Sequence, residues 1–318
     1  MTGTAKRPIL VTGLPRSGTS WVGKMLQAGG EVVYVNEPLN PSRPPGRSPG
    51  VLNASVTHAF QYICEDNEEP WLRAFRDTAR LRYHPLAELR ANRALPDLAR
   101  LVKNFSAFTA GRARGRRALL DDPYAVLSAA WFARRLGAVA IVLVRDPVTW
   151  SGSWRKLGWT TYFHELLEQP LLARDLLGEH AGELRALVGS QDELAKNAAL
   201  WRFTYDAVDS MRKNTESLHV VRYEDLAGDP ETRFGELYAT CGLTWDASAR
   251  RAVREATQAE NAPTRAMSWS LKGGLSRTAY QPMDSKAALV TYRDRLGEEE
   301  IARVRELTAD VRARYYDA

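Results

Sequence analysis

The chain has 318 residues, 44% of them hydrophobic and 26% charged, with a formal net charge of +6. That balance excludes a disordered chain, and two cysteines, Cys64 and Cys241, exclude a disulfide framework or a cysteine metal cluster. The longest apolar run, Ala138 to Val144, is too short to span a bilayer. No polar low-complexity linker divides the sequence, so one domain over residues 1–318 is expected. The basic excess suits a polyanionic ligand, and composition by itself would equally fit nucleic acid. Met1 to Arg7 lacks the apolar core of a signal peptide, which together with the sparse cysteines makes a cytoplasmic protein the expectation.

Pro8 to Thr12 is a short β-branched run and reads as a buried strand; Trp21 to Ala28 reads as a helix. The connection between them has the character of a phosphate-binding loop. Gly13 and Gly18 permit a tight turn and close approach of a ligand, and the N–H groups of Arg16 to Thr19 are expected to point into the hollow at the helix N-terminus. The two glycines have the spacing of the nucleotide triphosphatase loop G-x-x-x-x-G-K-[ST], but Thr19 stands where that pattern has lysine, and Arg16 is the only cation in the loop. A Mg²⁺ and γ-phosphate site would lose its main cation this way, so a nucleotide with a shorter 5′ group is expected.

Pro15-Arg16-Ser17-Gly18-Thr19-Ser20-Trp21 resembles the 5′-phosphosulfate loop of sulfotransferases that use 3′-phosphoadenosine 5′-phosphosulfate (PAPS). The arginine form is similar to the carbohydrate and tyrosyl-protein branches and their bacterial relatives. The resemblance implies that Arg16, Ser17, Gly18, Thr19 and Ser20 hold the 5′-phosphosulfate, that Trp21 stacks on adenine, and that no metal is required.

Glu31 to Val35 alternates like a second strand and ends at Glu37-Pro38, where a carboxylate sits at the edge of the ligand crevice of a doubly wound sheet. The segment resembles the Glu-Pro segment of carbohydrate sulfotransferases, which implies that Glu37 is the catalytic base. Pro41 to Gly50 reads as an irregular connection or a lid. From Ala54 to about Ala110 the apolar spacing is helical, and an inserted helical cap at about 51–115 is expected to shape the acceptor site. Gly111 to Arg117 reads as a basic connecting loop.

Arg117 to Leu120 enters a third strand that stops at Asp121-Asp122-Pro123, followed by an amphipathic helix from Tyr124 to Leu136. Relatives often carry lysine at the position of Asp121, so a cation is replaced there. Asp122 keeps the family position and is the alternative base, although an aspartate before proline also reads as a turn or cap. Ala138 to Val144 is a continuous apolar strand of the kind buried on both faces of a parallel sheet. It delivers Arg145-Asp146-Pro147 and a helix through Ser153. Arg145 and Ser153, eight residues apart, can converge on one phosphate, and this resembles the family's 3′-phosphate motif.

Residues 159–214 read as a long helical region, and Leu218 to Arg222 as a further strand. It leads into Arg222-Tyr223-Glu224-Asp225-Leu226, which resembles a family block. Glu224 and Asp225 read as structural carboxylates and Tyr223 as an aromatic near the adenine. Ser268 to Tyr280 reads as a basic loop, from which the resemblance implies that Lys272 or Arg277 reaches the 3′-phosphate; Gly297 to Tyr315 is a terminal helix.

The expected fold is a P-loop-like three-layer α/β/α arrangement with a mainly parallel central sheet and a helical insertion. The implied activity is sulfuryl transfer from PAPS, leaving adenosine 3′,5′-bisphosphate, to a hydroxyl or amine of a small-molecule, carbohydrate or lipid acceptor. No nucleic-acid partner and no integral membrane segment are expected. A non-catalytic nucleotide-binding homologue and a P-loop nucleotide kinase are the alternatives.

Overall fold

The strand sequences are apolar on both faces, and the molecule satisfies them from both sides. In the computed structural model, which describes residues 6–41, 56–91, 95–257, 268–270, 274–276 and 289–317, the first elements are β1 (Ile9–Gly13), α1 (Thr19–Ala28) and β2 (Val32–Asn36). The inserted helices α2 (Glu69–Ala79), α3 (Pro85–Ala91) and α4 (Leu95–Ala113) lead to β3 (Arg117–Asp121), α5 (Ala129–Leu136), β4 (Val139–Val144) and α6 (Pro147–Arg155). Short helices α7 (His164–Leu167), α8 (Pro170–Leu172) and α9 (His180–Ala186) precede the long α10 (Glu193–Lys213) and β5 (Leu218–Arg222). The chain continues through α11 (Tyr223–Gly228), α12 (Pro230–Thr240) and α13 (Ala247–Thr257), an antiparallel ribbon of β6 (Ser268–Ser270) and β7 (Gly274–Ser276), and α14 (Glu298–Tyr316).

The five main strands form one parallel sheet in the order β2-β3-β1-β4-β5. Successive side chains of a strand face opposite ways, so each strand feeds two cores. Val139, Ile141 and Leu143 join Trp21, Leu226, Phe234 and Val253 from α1, α11, α12 and α13. Ala140, Val142 and Val144 join Phe75, Phe132, Trp201 and Val311 from α2, α5, α10 and α14. The result is the three-layer α/β architecture.

Several local expectations change. The helix expected from Tyr124 to Leu136 is a 3₁₀ segment, Pro123–Ser128, followed by α5, because the Asp122 side chain accepts the Tyr124 N–H and winds the entry tightly. The connector at 111–117 is shorter than expected: α4 continues to Ala113, since Gly111 lets the helix lie on Val33, where an added Cβ would come within 2.2 Å. The long helical region is broken, with Pro170 opening a separate turn. Pro41 is the last described residue before a gap that contains the rest of the expected 41–50 connection.

Strand order positions the site. Gly13 at the end of β1 pairs with Leu143 near the end of β4, so the turn after each strand opens on the same sheet edge, beside the point where the connections change direction. Gly13 has a φ of 145°, and a side chain there would meet the Leu143 carbonyl oxygen at 2.4 Å. Only glycine allows the two strand ends this close.

Candidate active site

The loop from Leu14 to Gly18 is held from outside by aromatic side chains. Trp150 donates its indole N–H to the Pro15 carbonyl at 2.8 Å. The Tyr205 hydroxyl donates to the Leu143 carbonyl at 2.9 Å and lies 3.1 Å from Ser17 Oγ. One phenol carries one proton, so Ser17 is the donor in the second contact. Within the loop the Ser17 N–H bonds to the Leu14 carbonyl at 3.0 Å, so this group turns the loop and is not open to a ligand, contrary to the expectation for it. The N–H groups of Gly18, Thr19 and Ser20 have no acceptor among the described residues. They crown the N-terminus of α1, whose first turn carries no acidic side chain. A helix start of this kind favours an anion.

Arg16 has a φ of 76° without being glycine, a conformation that costs about 1–3 kcal/mol and persists only where neighbours enforce it. Two of them do. Arg145 Nη1 donates to the Arg16 carbonyl at 3.0 Å, and Arg16 Nε donates to Ser153 Oγ at 3.2 Å. Arg145 and Ser153 thus both contact Arg16, which lies between them. Arg145 is 7% exposed, with its guanidinium 4.4 Å from the Tyr223 ring centroid and its carbonyl accepting the Trp201 indole N–H at 2.8 Å. Its Nε is buried without a partner among the described residues. Such an orphaned donor on a charged group is costly unless a ligand completes it.

The charges around the loop reinforce that reading. Burial, followed by the proximity of Arg145 and Arg295, pulls the Arg16 guanidinium below its ordinary pKa. Burial and Arg145 do the same to Arg295. Three guanidinium groups thus repel one another beside an anion-binding helix start. A ligand with two separated anionic groups, of the kind PAPS presents, fits this donor set. Arg295 was not found from sequence because it belongs to no recognisable motif. Trp150, Tyr205 and Trp201 were legible only as apolar helix residues.

Tyr223 is buried between Trp21, with ring centroids 5.5 Å apart, and Arg145. An added Cβ at Gly18, where φ is 98°, would meet its ring at 2.7 Å. Tyr223 thus braces both the loop and Arg145. Trp21 is 6% exposed and also packs edge-on against Phe234 at 5.2 Å. Adenine stacking on Trp21 would displace part of this packing. Glu224 and Asp225 have the structural duties expected of them: Glu224 accepts from the Asp146 N–H and the Tyr316 hydroxyl, and Asp225 from Arg222 Nε. Lys272 and Arg277 lie outside the described residues.

On the other side of β1, Glu37 has a φ of 48°, donates its N–H to the Asp121 carbonyl at 2.7 Å and accepts from Asn40 Nδ2 at 2.7 Å. Asp122, the alternative base, is engaged with the backbone. It is fully buried, with one carboxylate oxygen accepting the Leu39 N–H at 2.6 Å and the other the Tyr124 N–H at 3.0 Å. Burial pushes its carboxyl well above the usual range. Its job is to tie the segment after Glu37 to the end of β3. Asp121 is also fully buried and accepts from the Tyr34 hydroxyl, and the Lys24 ammonium lies 3.4 Å from the Tyr34 ring centroid. Burial, together with the charge of Glu37, pushes the Asp121 carboxyl up to about 6, while the Tyr34, Thr19 and Ser20 hydroxyls pull the other way. A tyrosine–carboxyl pair stands where the resemblance leads one to expect a lysine.

Fold and site together define a parallel α/β protein with a glycine-turned loop and a neighbouring arginine at the carboxyl end of its central strand. Residues 8–247 match the model of the Sulfotransferase family, and the chain belongs to that family. The structure is similar to the sulfotransferase domain from the curacin biosynthetic pathway, with a TM-score of 0.50 at 12% identity, covering 95% of this chain and 97% of that one. It also matches sulfotransferase STF9 from Mycobacterium avium, with a TM-score of 0.44 at 15% identity over 97% of this chain and 77% of that one. No curated protein sequence matches. Among the described residues, no helix is long and apolar enough to cross a membrane.

Proposed function

We propose that this sulfotransferase takes its sulfuryl group from PAPS and passes it to a hydroxyl or amine of a small-molecule, carbohydrate or lipid acceptor. The observation that carries the donor assignment is the direct contact between Arg145 and the loop, with Arg145 Nε buried and unpaired. In this reading a 3′-phosphate completes that nitrogen.

In this reading the N–H groups of Gly18, Thr19 and Ser20 hold the 5′-phosphosulfate. Arg145 and Ser153 hold the 3′-phosphate, Arg295 adds charge beside them, and the family resemblance adds Lys272 or Arg277 as a further cation for it. Trp21 and Tyr223 lie on the adenine side. PAPS supplies an activated sulfuryl group, and no metal is needed because guanidinium groups balance the charge that grows on the departing phosphate oxygen. Arg16 is the residue aimed at that charge; one such donor contributes about 2.7–4 kcal/mol to the barrier. Glu37, held by Asn40 and by its backbone bond to β3, accepts the acceptor proton. The inserted helices form the acceptor wall of a single catalytic domain.

Labelled PAPS offered with a panel of hydroxylated and amino acceptors tests the reaction. Transfer to at least one acceptor without added metal is expected. Tight binding of the nucleotide without transfer to any acceptor would replace the enzyme with a nucleotide-binding homologue. Mg²⁺-dependent turnover of ATP would favour a kinase, a reading that Thr19 in place of the loop lysine already disfavours.

A further inference from the structure

The helical insert between β2 and β3 leaves an apolar crest in solvent. Leu86 is 69% exposed, Val102 62% and Phe105 43%, with Leu89 and Leu98 exposed beside them. Of the eight large apolar side chains exposed among the described residues, these five lie within residues 86–105, so the exposure is concentrated rather than scattered. Leu98, Val102 and Phe105 recur at spacings of four and three and share one face of α4. Phe108 and Gly111, on a different face, meet the core.

The exposed charge around this crest is predominantly basic. Arg73, Arg82, Arg90, Lys103, Arg112 and Arg114 are exposed. Of the acidic residues between 69 and 116, Glu69 at the start of α2 is exposed, and Asp77, Glu88 and Asp97 are not. Asp77 faces Arg82 and His84, while Glu88 and Asp97 are buried against Arg100. Two hollows open on the same surface. One, of about 630 Å³, is lined by Leu81, Tyr83 and Phe105 with Arg82 and Arg112; the other, of about 360 Å³, by Tyr83, Pro85 and Leu86 with Arg73 and Arg90. They share Tyr83, whose buried hydroxyl has no partner among the described residues.

An apolar crest flanked by arginines, with apolar hollows each lined by two of them, matches a partner that is anionic at its surface and apolar beneath. A second copy of this chain would bring like charge against like charge. An acidic protein would answer the arginines but not the leucine and phenylalanine crest. We propose that this face docks on an anionic phospholipid bilayer, the crest entering the headgroup layer and the arginines meeting lipid phosphates. The inference uses only this surface and stands apart from the choice of sulfuryl donor.

Co-sedimentation of the full chain with vesicles tests it. Phosphatidylcholine vesicles containing phosphatidylglycerol should bind the protein, and vesicles of phosphatidylcholine alone should bind it at least about tenfold more weakly, with high salt reducing the difference. The double variant V102E/F105E should lose about tenfold or more in partitioning. R82E/R112E should lose about fivefold or more per cation. Both variants change exposed side chains and should keep the parent melting temperature, and Val290→Glu, elsewhere on the surface, should bind as the parent does. Three results would overturn the proposal: no preference for the anionic vesicles, undiminished binding by both double variants, or a dimer in sedimentation equilibrium that V102E/F105E dissociates.

Discussion

Asp121 offers a test in which the sign is fixed by the structure. Its carboxyl is fully buried, and burial with the nearby charge of Glu37 raises it to about 6, against an ordinary value of 3.8. The native state therefore binds the proton more tightly than the unfolded chain does. For a raised carboxylate the linkage is unfavourable on ionisation: stability is unaffected by this group below about pH 4 and falls as pH rises through about 6. A shift of about two units corresponds to about 3 kcal/mol. Asp121→Asn removes the titration and keeps an oxygen that accepts the Tyr34 hydroxyl. Urea unfolding of parent and variant across pH 4 to 8 should give a stability difference that moves in favour of the variant with rising pH, by up to about 3 kcal/mol. Taking the difference cancels carboxylates that do not sense Asp121, such as buried Glu224, while Asp122, which does, shifts in the same direction and adds to the gain of the variant. A pH-independent difference, or one that moves against the variant as pH rises, would refute the claim that an ionised carboxylate is disfavoured beside the loop.

Glu37→Gln keeps an acceptor for Asn40 but not a base, and turnover should fall roughly 10²- to 10⁴-fold with nucleotide affinity unchanged in calorimetry; equal turnover would move the base elsewhere. Asp122→Ala strands two buried backbone donors, Leu39 N–H and Tyr124 N–H, and should cost about 2–5 kcal/mol in urea unfolding. Losing less than about 1 kcal/mol would remove Asp122 from its tying role. Gly18→Ala introduces a Cβ 2.7 Å from the Tyr223 ring at a φ of 98°. It should destabilise by at least about 1–2 kcal/mol and abolish nucleotide binding, and a variant that binds normally would show that the loop tolerates a wider turn.

The sheet was readable because burial on both faces leaves a strong mark. Val139–Val144 is apolar at every position, and β1 is buried at every position, so neither needs a partner to be recognised. The loop was readable for a different reason: Gly13 and Gly18 occupy backbone geometries that exclude other residues. What the loop rests on was not readable. Trp150, Tyr205 and Trp201 reach their carbonyls across 135, 62 and 56 residues of chain, and in helical spacing such residues look like ordinary core. Asp122 shows the same limit, since Asp-Pro alone is compatible with a base or a cap. Its pairing with Leu39, 83 residues away, gives it a structural partner that the sequence does not reveal. The entry to α5 escaped notice because 3₁₀ and α segments share much of their apolar spacing.

Titration calorimetry with adenosine 3′,5′-bisphosphate and adenosine 5′-monophosphate, on the parent and on Arg145→Ala, addresses the central claim most directly. The parent should prefer the bisphosphate, and the variant should lose about 2–3 kcal/mol more of bisphosphate than of monophosphate binding, roughly 30- to 150-fold in the ratio of the two Kd values. Equal affinity of the parent for the two nucleotides, or an Arg145→Ala variant that still favours the bisphosphate as strongly, would contradict a second phosphate held beside the loop by Arg145.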